Sequence, residues 1–126
     1  MTGVGAWYNG YGEQFDIMPR ARQTDYIIVK AGYWELMEYL LQNGIKVGVE
    51  AYVKPDNPAY WGSLLRRGVE LGASFIVVNA EIEWESQPAS AMHELMAQVR
   101  NGIPPDTPIY ASVDTRGGRT RRPYQY

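Results

Sequence analysis

Short runs of β-branched and aromatic residues alternate along this chain with longer segments whose apolar residues recur every three or four positions. The first pattern has the period of a strand and the second that of a helix. Five runs predict strands, at residues 4–8, 25–30, 46–53, 75–81 and 108–113. Each is closed by a turn signal such as Asn9-Gly10, Ala31-Gly32 or Lys54-Pro55, or runs on into polar residues. The intervening segments predict helices at 33–43, 57–71 and 86–100. Their inward stripes are Trp34, Met37, Leu40 and Leu41; Trp61, Leu64, Leu65 and Val69; and Met92, Leu95, Met96 and Val99. Asn57 followed by Pro58 reads as a cap and first turn, and Asn43-Gly44, Gly72 and Asn101-Gly102 read as helix stops. Residues 13–24 carry a weaker helical pattern that Pro19 interrupts.

Strand followed by helix, repeated, is how parallel βα units read. The expected fold is therefore α/β, either part of a TIM-type barrel of about five strands or a flavodoxin-like doubly wound sheet. Residues 1–114 read as one domain and 115–126 as a basic tail. The 126 residues are about half of the ~250 typical of a complete eight-stranded barrel.

Charge alters this picture in one respect. The net charge is −2, yet Arg116, Arg119, Arg121 and Arg122 stand in the tail with no acid among them, so the rest of the chain carries −6. Arginines neutralise phosphates, but an acidic body repels nucleic acid, so a nucleic-acid partner is not expected and the tail reads as a solvated segment or one that docks on the body. No apolar run approaches the ~20 residues of a membrane-spanning helix, and no basic stretch followed by an apolar one marks a leader. Without cysteine there is no disulfide, thiolate ligand or thiol nucleophile, and the compartment is left open.

Ligands of α/β folds sit beyond the carboxyl ends of the parallel strands. The residues there are Trp7, Tyr8 and Asn9; Lys30; Glu50, Tyr52 and Lys54; Asn79, Glu81, Glu83 and Glu85; and Tyr110, Ser112 and Asp114. The run from Val78 to Glu85 alternates polar and apolar residues, so an extended strand puts Asn79, Glu81 and Glu83 on one face. Same-face neighbours are ~6.6 Å apart, which brings carboxyls near the ~5–9 Å separations of glycosidases. Like charges at that range raise one carboxyl pKa, as a general acid requires. The competing reading pairs Glu81 with Lys30 and leaves Glu83 and Glu85 solvated. His93 falls on a helix away from the strand ends, Ser112 has no histidine in its pattern, and no spacing specifies a metal or other cofactor.

Residues 75–85, a strand leading through Asn-Ala-Glu into Ile-Glu-Trp-Glu, resemble the fourth strand of the lysozyme-like (muramidase) family twenty-five of glycoside hydrolases, where an Asp-x-Glu motif ends the strand. Gly-Ala-Trp-Tyr at 5–8, Ile-Ile-Val-Lys-Ala-Gly at 27–32 and Pro-Ile-Tyr-Ala-Ser at 108–112 fit the same barrel superfamily. The resemblance implies Glu81 as general acid, with Glu83 or Asp114 as its partner carboxyl. It implies Trp7, Tyr52 and Trp84 as sugar-stacking surfaces, and Lys30, Glu50, Asn79 and Tyr110 among the substrate contacts. Asn79 stands where the family has its partner aspartate, and five strands make little more than half a barrel. The expectation is therefore weak or no hydrolysis of cell-wall polysaccharide. The alternatives are a non-catalytic domain that binds carbohydrate or protein, and a half-barrel that self-associates, with a dimer as the expected assembly.

Overall fold

Where β-branched residues cluster, the chain is extended, and where apolar residues fall at helical spacing, it coils. The computed structural model describes residues 5–8 and 18–113. In order they form β1 (Gly5–Tyr8), α1 (Met18–Ala21), β2 (Tyr26–Lys30), α2 (Trp34–Gln42), β3 (Val47–Tyr52), α3 (Pro58–Leu71), β4 (Phe75–Ala80), a 3₁₀ turn (Ile82–Trp84), α4 (Ala89–Arg100) and β5 (Ile109–Val113). Asn57 caps α3 by accepting a hydrogen bond from the Tyr60 amide at 3.3 Å, with Pro58 in the first turn. The helix expected from residue 86 starts at Ala89, because Pro88 lies in extended backbone just before it.

The strands form one parallel sheet in the order β1-β2-β3-β4-β5. Right-handed crossovers that always step the same way leave every helix on the same face. Burial agrees. Ile27, Val29, Val47, Val49, Ala51, Ile76, Val78 and Ala80 share one core with Leu36, Met37 and Leu40 of α2, Leu65 of α3, and Met92, Leu95 and Val99 of α4. This is how a segment of a barrel winds; a flavodoxin-like sheet has strand order 2-1-3-4-5 and helices on both faces.

Two glycines let α3 press inward. A Cβ on Gly68 would meet the Val49 side chain at 2.7 Å, and one on Gly62 would meet Gln98 of α4 at 2.7 Å. The second face of the sheet holds a smaller cluster of Ile28, Phe75 and Val77, flanked by Tyr26 and Tyr110. Phe75 stands edge-to-face to Tyr26 at 5.4 Å and to Tyr110 at 5.8 Å, and its ring fills the space above Gly48. These aromatics close the amino-end half of that face, and the polar residues lie towards its carboxyl end. Among the described residues no helix is long and apolar enough to cross a membrane.

Candidate functional site

Strand alternation sets the second face, and pairing register sets its rows. Lys30 stands beside Glu50, and Glu50 beside Val77; one row further on, Tyr52 stands beside Asn79 and Asn79 beside Ser112. Side chains at i and i+2 of one strand point the same way. Glu50, Tyr52 and Asn79 thus share the face that carries the Phe75 cluster, at the end where the strands finish.

Glu50 is the centre of this group. It is an acid in the middle of β3 and only 3% exposed. Burial pushes its carboxyl pKa above the ordinary value of 4.5, since the charged form loses water. A hydrogen bond from the Asn79 amide and the charge of Lys30 act in the opposite direction, and the charge of Glu81 adds to the rise. Lys30, at the end of β2, and Glu81, just past β4, therefore both act on the same buried carboxyl from its two sides.

Beyond Ala80 the extended pattern fails. The expectation that Asn79, Glu81 and Glu83 line one face of a continuing strand is corrected by the 3₁₀ turn at Ile82–Trp84. Two bonds from the end of β3 account for it. The Tyr52 hydroxyl donates to the Glu83 carboxylate, 2.8 and 2.7 Å from its two oxygens, and the Trp84 indole N–H donates to the Val53 carbonyl at 2.9 Å. Each closes a contact across 31 positions. An indole nitrogen must find an acceptor when buried, and Val53 offers one that a straight strand could not reach.

The other expected site residues fall unevenly. Trp84 is 3% exposed and lies in the helix-side core, so it is no sugar-stacking surface. Tyr110 pairs in register with Val77 and packs on Phe75, below the rim. Tyr52 is at the rim, with its hydroxyl engaged by Glu83. Trp7 lies in β1 beside Ile28 by backbone register; Asp114, Asn9 and the arginines of the tail lie outside the described residues. His93 is exposed on α4, as expected. Among the described residues no cluster of His, Cys, Asp or Glu is arranged to hold a metal ion.

Sequence reading ranked Glu50 below Glu81, yet β3 held a signal. Glu50 interrupts an otherwise apolar stretch from Val47 to Val53, and a strand covered on both faces tolerates a carboxyl only where partners meet it. Two aromatics at this end of the sheet are exposed, Tyr33 in the connection after β2 and Tyr60 in the first turn of α3.

Comparison of the chain with protein-family models, with curated proteins and with solved structures returns no match.

Proposed function

We propose that this chain is a glycoside-hydrolase-like half-barrel of weak turnover, acting on polysaccharide of the cell-wall type at the carboxyl-end rim of its sheet. The observation that supports this reading is the buried Glu50 carboxyl with Lys30, Asn79 and Glu81 acting on it. A leaving glycosidic oxygen needs a proton from an acid that still holds one towards neutral pH, and burial is the usual way a protein makes such an acid. Glu50 takes that role here, and Glu81, whose negative charge acts on it, is the partner carboxylate. This exchanges the place that the family resemblance gives to Glu81. Asn79 limits the rate, because an amide provides neither charge for an oxocarbenium-like transition state nor a base for water. Glu83 offers little help while Tyr52 holds its carboxylate.

The second reading is a half-barrel that binds carbohydrate or protein without turnover and associates with its own kind. The Asn79 amide on Glu50 favours it, as does the sheet, in which β1 and β5 each have one neighbour among the described residues.

Release of reducing ends from peptidoglycan and from an aryl chitooligosaccharide tests the choice. Slow hydrolysis that falls by about a hundredfold in both Glu50→Gln and Glu81→Gln is the expected result. Binding with no hydrolysis in the wild-type chain selects the second reading. Rapid hydrolysis that survives Glu50→Gln contradicts the first.

A further inference from the structure

Two interactions join the end of β3 to the segment that follows β4, and they are two residues apart on both sides. Glu50 and Tyr52 stand two apart on β3, and Glu81 and Glu83 stand two apart beyond Ala80. Glu81 acts by its charge on the buried Glu50 carboxyl. The next rung is the Tyr52 hydroxyl on the Glu83 carboxylate, at 2.8 and 2.7 Å from its two oxygens. In register Tyr52 lies beside Asn79, so an extended chain would carry Glu83 four residues, or about 13 Å, past it. The 3₁₀ turn at Ile82–Trp84 removes that gap, because it rises only about 2.0 Å per residue and folds Glu83 back. Glu81, directly before the turn, is still close to extended at φ −117° and ψ −147°. Its side chain therefore stays on the face of Asn79, whose amide bonds Glu50.

We propose that Tyr52 is a positioning residue of this site, which holds Glu81 beside Glu50 by tethering Glu83 two residues further on. This rests on the reading of Glu50 and Glu81 as the two carboxyls of the site, and it assigns Glu83 to the tether rather than to chemistry. Like charges move apart unless something restrains them, and their interaction weakens with distance. Sheet pairing does not restrain Glu81, since it ends at Ala80 beside Val113. Past that point two side-chain bonds from β3 act on the turn, and they act on different residues. The Trp84 indole on the Val53 carbonyl seats the turn in the helix-side core. The Tyr52 hydroxyl holds its acidic side, through a bond of the stronger, charge-assisted kind to a part-buried carboxylate. The Glu81 carbonyl also accepts from the Trp84 amide at 3.0 Å, so Glu81 moves with the turn.

Carbon-13 titration of the Glu50 carboxyl tests this without reference to turnover. The quantity read is the shift in the Glu50 midpoint that Glu81→Gln produces, measured in the wild-type chain and in Tyr52→Phe, Glu83→Ala and Glu83→Gln. In the wild-type chain the midpoint is expected to move down. In Tyr52→Phe and in Glu83→Ala that movement should shrink to less than about half, as for neighbouring residues whose contributions do not add. In Glu83→Gln, where a side-chain carbonyl still accepts the hydroxyl, it should persist. Tyr52→Phe and Glu83→Ala reach the tether from its two ends, so a folding defect in one does not decide the outcome. A movement of wild-type size in either variant overturns the tether. So does an equal loss in Glu83→Gln, which would place the effect in the Glu83 charge, and so does a wild-type midpoint that ignores Glu81→Gln. Coupling that depends on Tyr52 in a chain without hydrolysis keeps the tether and removes the proposed activity; hydrolysis with coupling indifferent to Tyr52 does the reverse.

Discussion

The Asn79 side chain donates a hydrogen bond to the carboxyl group of Glu50 on the neighbouring strand. Asn79 thereby gives a buried acid a hydrogen-bond donor. A carboxylate at position 79 would put like charges in contact beneath the rim.

Glu50 makes stability depend on pH. Its folded pKa lies above the 4.5 of an unperturbed carboxyl, so the folded chain holds a proton that the unfolded chain gives up. Stability from this group is fully present below about 4.5 and is lost as pH rises through the folded value. Glu50→Gln removes that loss. Urea denaturation at acid and neutral pH should show the variant equal to the wild-type chain or less stable in acid and more stable near neutrality.

Asn79→Asp should act in the opposite sense. It adds a carboxyl where an amide donor met Glu50, and a buried pair without that donor costs about 1–3 kcal/mol. The denaturation midpoint should fall at neutral pH and recover in acid, where one of the two carboxyls takes a proton. A loss independent of pH would assign the cost to packing instead.

Tyr52→Phe tests how the 3₁₀ turn is held. The phenol hydroxyl is lost from a part-buried carboxylate, and hydrogen bonds to charged groups are worth about 1.5–3 kcal/mol. The turn should loosen while the sheet stays intact, so hydrogen exchange should quicken around residues 82–85 and not in β3 or β4. Uniform quickening would contradict this local role.

The close approach of α3 is tested at Gly68. An added methyl must displace the buried Val49 side chain, and overpacking of this kind costs about 1–3 kcal/mol. Gly68→Ala should lower the melting temperature, and Gly68→Ala/Val49→Ala should stay well below the wild-type chain, because the Val49 Cβ itself lies 2.8 Å from the added methyl. A melting temperature unchanged in Gly68→Ala would contradict the close approach.

Strands and helices were legible within a few residues because their periods differ and because Asn57-Pro58, Gly72 and Asn101-Gly102 punctuate them, although Pro88 moves the start of α4 from residue 86 to Ala89. The end of β4 was not. Ile82-Glu83-Trp84 alternates as well as any strand, and what bends it is the Val53 carbonyl and the Tyr52 hydroxyl, which arrive only once β3 lies alongside. The buried face of α3 was half-read for a similar reason. Its deepest positions are Gly62, Leu65 and Gly68, and a hydropathy stripe does not register a glycine that lets backbones approach. The sequence did point to acids at the fourth strand's end, but the burial of Glu50 depends on what covers both faces of β3, which no local pattern states.

Titration of the Glu50 side-chain carboxyl by carbon-13 NMR tests the central claim most directly. The account predicts a midpoint above 4.5, which moves down in Glu81→Gln as the neighbouring negative charge is removed. A midpoint at or below 4.5, unmoved by Glu81→Gln, would mean that Glu50 is an ordinary ionised carboxylate and not the acid of this site.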